Sequence, residues 1–456
     1  MTKIHHRTYD ARRTEYDMVR DALNGSRRVK EQGPVYLPKP SAMSQADYQA
    51  YLTRAYYYPV AERTLRGMCG LALRNDPQIV LPSRLEGMRR AATFKGHALD
   101  VLIEDLLRET LSVGRTCCVL DYPTEGAGPA DPPFISVFEA ESILDYKESL
   151  VDGRSRLTML RLAEDHDDGE EVERHLVYTL EPHLIIRRFE MEGEKEIPYG
   201  AEIIPQIAGK LLFTIPAVII SPYNLQADAE KPPMLDLVTV SLAHFRNSAD
   251  YEHALYLTAQ PTPWITGNVT QADKPSAIGS AAIWVLPDGA QAGLLEFTGQ
   301  GVAAIRTAME DKKNEMASLG ARMIHEGINR NESSDTARMR GRAEMSLLVS
   351  SVKMVSAALE MLLGWAAEWV GAPASSVKVA MSKDFISTSL DANTLNALVK
   401  AWQSGAISHQ TLIENLQRGE VIPASRSAAD ELDQIDAEGG PDVRNIVPML
   451  KPAPAA

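Results

Sequence analysis

A chain of 456 residues with 45% hydrophobic and 24% charged side chains has the balance of a globular protein, and at roughly 150 residues per domain it has room for about three. That balance excludes wholesale disorder and any collagen-like or low-complexity architecture. Lys and Arg number 47 against 61 Asp and Glu, a formal net charge of -14, which argues against a protein that grips nucleic acid by neutralising phosphates.

The first hundred residues predict helices. Ser44 and Asp47 resemble a capping box ahead of Tyr48, Tyr51, Leu52, Ala55 and Tyr56. Pro59 opens a second helix through Leu65 and Leu73, which stops before Asn75-Asp76-Pro77. A third spans His97 to Val113, with Leu99, Leu102, Ile103, Leu106, Leu107 and Thr110 on one face and Gly114 as its stop.

From Thr116 the period shortens. Thr116–Tyr122, Ile135–Phe138, Leu157–Leu162, His175–Leu180 and Leu184–Phe189 predict strands, and Leu211–Ile220 another that is interrupted at Pro216. The expectation is an α+β body built on one sheet, packed by the N-terminal helices.

Pro232 and Pro233 then introduce a helix with Leu235, Val238, Leu242, Phe245 and Ala249 at three- and four-residue spacing, closed by Pro261 and Pro263. A small β insert follows: Trp264–Thr266, a turn at Gly267-Asn268, Ile283–Leu286, a turn at Pro287-Asp288-Gly289, and Leu294–Phe297. A second seamed helix starts near Gly301 with Val302, Ile305, Met309, Lys312, Met316, Leu319 and Met323 on its face. A lysine in such a seam suits a subunit contact better than a core. The pattern dissolves between Ile324 and Asp335. A long helix then carries Leu348, Val352, Val355, Leu359, Leu362, Ala366 and Trp369, and ends at Gly371 and Pro373. A strand at Val377–Met381 leads to two short helices, the first capped by Asp391 and the second by Ser408, with Gly405 between them. The stretch after Gly439 is Pro- and Ala-rich and is expected to be loose.

The chemistry-bearing motifs are sparse. There is no Walker-type phosphate loop, no nucleophile elbow and no His-Glu-x-x-His helix. The acidic run Glu164–Glu171 misses the calcium-loop template at its glycine and its distal glutamate, and reads as a solvated turn. Asp121, which precedes Tyr122-Pro123, reads as a turn former. Cys69, Cys117 and Cys118 lack metal-knuckle spacing and predict reduced, buried thiols. Neither a cofactor nor a metal is called for. The opening residues carry no apolar signal-like stretch, Leu211–Ile220 is too short to span a membrane, and Val355–Val370 carries Glu360 and Glu368. A soluble cytoplasmic product is expected.

A set of local sequences, in order, carries a family resemblance: Val35-Tyr36-Leu37-Pro38-Lys39; Arg63-Thr64-Leu65-x-Gly67-Met68-x-Gly70-Leu71; Gly114-Arg115 through Asp121-Tyr122-Pro123; Leu242 through Asp250; Gln260-Pro261-Thr262-Pro263; and Ser404 through Ser408. Together they resemble portal proteins of tailed double-stranded DNA bacteriophages, in a subgroup with a compact subunit. None is a catalytic motif.

The resemblance implies a multi-domain, ring-forming α+β fold with a mixed α/β wing, long stem helices, a small β-rich clip and a helical crown. The implied wing is 1–232, stem helices 233–260 and 301–324, clip 261–300, tunnel loop 325–335, long helix and return strand of the wing 336–390, crown 391–438 and tail 439–456. It implies a non-enzymatic dodecameric ring at one capsid vertex, through which double-stranded DNA is packaged and ejected without sequence specificity. Implied partners are the large terminase subunit, head-tail connector proteins, and the major capsid and scaffolding proteins, with no membrane. The implied location is the virion, after assembly in the host cytoplasm. By this resemblance the tunnel-loop contacts are His325, Glu326, Asn329, Arg330, Asn331 and Glu332. The stem or oligomer seam is Leu242, Phe245, Ile305, Met309, Lys312, Met316 and Leu319. The clip docking surface holds Trp264, Trp284, Pro287, Asp288 and Gly289. Two other readings stand beside it: another ring-forming virion or tail protein, and a metal-dependent nuclease or hydrolase using Asp121 and Glu139.

Overall fold

The computed structural model describes residues 5–122, 132–151, 153–164, 173–193, 195–259, 262–270, 283–295, 299–320, 334–382, 392–404, 406–418 and 434, with side chains of the long helix described from Leu347 onward. The chain divides into two compact units. One comprises residues 1–70 and 78–380, the other residues 71–77 and 381–456.

The larger unit opens with α1 (Arg7–Leu23), α2 (Ser26–Glu31), α3 (Gln45–Arg54) and α4 (Val60–Ala72). Ser44 caps α3 by accepting the Asp47 N–H at 3.1 Å, the first half of the expected capping box. Helix α1 is rich in charge, yet Tyr9, Tyr16, Val19 and Ala22 recur on one buried stripe. After the short strand β1 (Gln78–Val80) comes α5 (Leu99–Ser112), whose predicted apolar face is buried from Leu99 to Leu111.

The strands form more than the one sheet expected from the sequence. Strand β2 (Thr116–Asp121) lies between β3 (Phe134–Glu139) and β11 (Ala217–Ile220) in a three-stranded antiparallel sheet. The strands β4 (Ile143–Val151), β5 (Arg154–Glu164), β6 (Arg174–Leu180), β7 (Leu184–Glu192) and β8 (Lys195–Pro198) form a separate antiparallel meander. Cys117, Val119, Ile143, Tyr146, Leu160, Leu162, Tyr178 and Ile219 share one core that joins the two sheets. Two sheets packed through one core let both bury an alternating apolar face, which a single sheet under helices would achieve only once.

The predicted strand Leu211–Ile220 is divided. Its first residue, Leu211, belongs to a two-residue ladder between β9 (Gln206–Ile207) and β10 (Lys210–Leu211), and its end is β11. Pro216 offers no N–H to a ladder, so pairing resumes only after it, although its carbonyl still accepts the Leu120 N–H at 2.8 Å.

Helix α6 (Leu235–Thr258), the hairpin strands β12 (Thr262–Thr266) and β13 (Gln291–Leu295), helix α7 (Gln300–Ser318) and helix α8 (Ser334–Trp369) follow. Leu348, Val352, Val355, Leu359, Leu362 and Ala366 of α8 are fully buried. That burial suits the core of a globular unit, although Leu347–Trp369 is long and apolar enough to cross a membrane by length and composition. Glu360 accepts the Val379 N–H of β14 (Lys378–Ala380) at 3.2 Å. Strand β14 returns to pair with β1, Ile79 opposite Val379.

The smaller unit holds α9 (Ala392–Gln403) and α10 (His409–Arg418). Ser408 accepts the Thr411 N–H at 3.1 Å as the cap of α10, and Leu412 and Ile413 are buried.

Candidate functional site

The region that sets this protein apart is the excursion from α6 through the hairpin to α7. Its base is anchored by side chains of α6 that meet the stretch entering α4. Ser241 donates to the Tyr58 carbonyl at 3.0 Å, and Ser248 donates to the Tyr56 carbonyl at 2.8 Å while accepting its N–H at 2.9 Å. Phe245 meets the Tyr57 ring edge-on at 6.2 Å, and Tyr51 donates to Asp250 at 2.6 Å. Beyond Asp250, α3 still meets the helix through Tyr51 on His253 at 5.4 Å and Arg54 over Tyr256 at 3.6 Å, yet Tyr256 and Leu257 are exposed.

Leu242 and Phe245, two of the seam residues, are buried within the protomer. On α7, Met316 is buried, Ile305, Met309 and Lys312 are half-buried, and Leu319 is 42% exposed just past the helix end. Lys312 and Lys313 lie near His244, whereas Leu319 meets Leu237 in the wall of a cavity of about 140 Å³, so α6 and α7 run antiparallel. The same cavity is lined by Thr64, Met68, Leu111 and Leu347.

The hairpin pairs Thr262 with Leu295 and Thr266 with Gln291, and places Trp264 opposite Gly293. A Cβ at residue 293 would come within 2.8 Å of the Trp264 indole, so only glycine admits the ring there. Trp264 remains 40% exposed, and Trp284 is half-buried. The segment Ile283–Leu286, expected to be a strand, carries no ladder among the described residues; β13 begins after the Pro287–Gly289 turn instead. Its β-forming composition is genuine, but Ile283 and Val285 are 89% and 82% exposed among the described residues, without the burial that favours pairing. Ala290 closes the turn by donating to the Pro287 carbonyl at 3.0 Å.

The tunnel-loop residues His325, Glu326, Asn329, Arg330, Asn331 and Glu332 lie outside the described residues, as do Asp165–Glu171 of the acidic run, Phe297 of the insert and Asp391.

Asp121 and Glu139 do not converge. In the ladder between β2 and β3, Asp121 pairs with Phe134 at one end and Glu139 with Thr116 at the other, roughly 17 Å away at about 3.4 Å per residue. One ion cannot bind both. Asp121 accepts the N–H of Tyr122 at 2.7 Å, as a turn former does. Among the described residues no three His, Cys, Asp or Glu side chains gather as metal ligands would. All three cysteines are free and buried, and burial pushes the Cys69 and Cys117 thiols up to about 12, where thiolate chemistry is suppressed.

The charged centre that sequence reasoning missed joins α1, α5 and Glu141. Arg20 of α1 binds Glu109 of α5 through two bonds of 2.6 Å and Glu141 through bonds of 2.8 and 3.0 Å. It fastens α1 to α5 and to the turn that carries Glu141.

A family described only as a domain of unknown function, DUF4055, matches residues 233–370, the stretch from the start of α6 to the end of α8. No curated protein matches the chain. Among solved structures, the chain is similar to a component of the neck of a native GTA particle computed with C12 symmetry, at 14% identity and a TM-score of 0.45, covering 83% of this chain and 95% of the other. It is also similar to a component of the neck of an empty GTA particle computed with C6 symmetry, at 14% identity and a TM-score of 0.43, covering 85% and 97%.

Proposed function

We propose that this chain is a portal subunit: a non-enzymatic protein whose copies, twelve to a ring, surround the DNA passage at one capsid vertex. Terminase docks there during packaging, and head-tail connectors dock afterwards. The observation that carries the reading is the antiparallel helix pair α6 and α7, rooted in an α+β body and bracketing a β-hairpin, with the 36-residue helix α8 beyond. This is the order that the portal-like sequence markers imply. A ring subunit needs elements that leave its own core to meet a neighbour, and the exposed far end of α6 with its hairpin is such an element.

The net charge of -14 fits a conduit. A channel lined to neutralise many phosphates would hold the DNA it must let slide.

Native mass measurement with negative-stain imaging tests the reading. Rings of twelve are expected, and a monomer that cleaves DNA on addition of a divalent metal would refute it. Within assembled heads, shortening Gly327–Glu332 should leave rings intact and lower the DNA retained, with Arg330→Ala milder; full retention by the shortened chain would remove the channel role of that segment.

A further inference from the structure

Helix α7 carries its charges in two sets. Toward the protomer, exposed Lys313 and exposed Arg63 of α4 flank Tyr58, and half-buried Lys312 lies near His244. The Arg63 guanidinium carbon and the Lys313 Nζ lie 5.8 and 5.9 Å from the centre of that ring. His244 lies beneath them, 1% exposed, its ring 6.0 Å from that of Tyr58. Neither of its nitrogens has a hydrogen-bond partner. Burial, then Lys313 and Lys312, pull its pKa down to about 4, so the imidazole is neutral and keeps one unmet N–H donor. Among the described residues no carboxylate pairs with Arg63, Lys312 or Lys313. The cluster is three cations beside an unsatisfied donor, with no anion paired to it among the described residues.

The second set is Glu310, Asp311 and Glu315, all exposed. Arg306 occupies Glu310 at 3.2 Å, one turn back. Asp311 and Glu315 pair with no cation among the described residues. One turn apart, they form a short ridge about 160° round the helix from Lys313, with Lys312 between the two, at about 100° per residue. Among the described residues, Lys313 and this ridge are thus unpaired opposite charges on opposite sides of one helix.

We propose that these two sets meet between copies of this chain, the Asp311–Glu315 ridge of one protomer seating on the Arg63–Lys312–Lys313 cluster of the next. Because Lys313 and the ridge face opposite ways, one neighbour cannot cover both. The contact is therefore head-to-tail and repeats from copy to copy until it closes. The inference rests on the ring reading above and assigns the residues that choose the neighbour and its direction. Charge pairs at such a surface act mainly on specificity and are screened by salt, so ring formation should weaken as ionic strength rises.

Two variants test this, Lys312→Glu with Lys313→Glu in one chain and Asp311→Lys with Glu315→Lys in another. Native mass of the wild-type protein comes first, because an absence of rings there sinks the ring reading itself. Where wild type forms rings, each variant alone should form at least tenfold fewer. The equimolar mixture should recover them, with the two chains in equal number, since only alternation restores opposite charges at every contact. Rings from either variant alone overturn the proposal, as does a mixture no better than its parts. Lysine-reversed rings that persist but release DNA would make phosphate the ligand of the cluster, and would overturn it equally. Should both double variants fail to fold, Arg63→Glu at an exposed site decides: it must reduce rings by itself, and unchanged rings refute the contact.

Discussion

Arg20 spans three parts of the fold with one planar group. Its fork satisfies both oxygens of Glu109 and both of Glu141, with Glu139 a further 3.5 Å away. These bonds outweigh the opposing pull of burial and raise its already high pKa, so it stays charged. Removing one partner from such a site leaves uncompensated carboxylates, and Arg20→Ala should cost about 3 kcal/mol, read as a lower midpoint in urea. An unchanged midpoint would reduce the network to surface decoration. Nothing in the sequence marks it, because the partners lie 89 and 121 positions away and each is an ordinary charged residue in its own element. His244 gives a second prediction. Its folded pKa of about 4 lies below the ordinary histidine value near 6.5, so the unfolded chain binds the extra proton between those limits. Stability is therefore complete above about pH 6.5 and is lost as pH falls toward 4, by roughly 1 to 3 kcal/mol. The groups facing it are Lys312, Lys313 and Tyr58. His244→Gln cannot titrate, so the gap between unfolding midpoints at pH 7 and pH 5 should shrink; an equal gap in both proteins would assign the acid sensitivity elsewhere.

At the scale of elements, helices were legible where burial is one-sided. The apolar faces of α5 and α8 recur at three and four residues, and both are buried save for Trp369 at the end of α8, which is half-buried. Helix α1 escaped notice because its charges crowd a narrow stripe of Tyr9, Tyr16, Val19 and Ala22. Gly114 ends α5 as expected, in the left-handed region with φ of 81°. Its further role was hidden: a Cβ there would sit 2.6 Å from the Pro233 ring, so the stop of α5 also admits the start of α6. The hairpin was legible as an insert but not in its register, since Ile283–Leu286 has the composition of a strand and forms no ladder among the described residues. What locates the true pairing is Gly293, where the Trp264 indole crosses the opposite strand. Gly293→Val must displace that ring. A two-stranded ribbon has little else to hold it, so the hairpin should open while the body stays folded. A red-shifted Trp264 fluorescence with an unchanged main unfolding transition is the expected result, and the other four tryptophans are held constant by comparison with a Trp264→Phe control. No change in emission would mean that the ring does not depend on this crossing.

At the scale of the whole molecule, the α+β class and the helix–hairpin–helix order were readable, whereas the division into two sheets was not, because strands β4 to β8 pair only through neighbours and share their core with β2. The role of the α7 face was also ambiguous in sequence, since a heptad-like stripe looks alike whether it packs on its own protomer or on another. The structure separates the positions. Met316 is fully buried, so Met316→Asp places an unpaired carboxylate in the core and should unfold the protomer or cost several kcal/mol. Leu319 is 42% exposed at the rim of the cavity shared with Leu237 and Leu347, where a carboxylate can still reach water. Leu319→Asp should therefore leave the melting transition of the protomer within a few degrees of wild type. If the end of α7 lies against a neighbouring copy, the same variant should lose rings in size-exclusion and native-mass profiles, because the neighbour would strip that water away. The pair of substitutions separates folding from assembly on one helix face. Intact rings from a well-folded Leu319→Asp protein would confine the seam to the protomer and leave the charged ridge and cluster as the contact between copies.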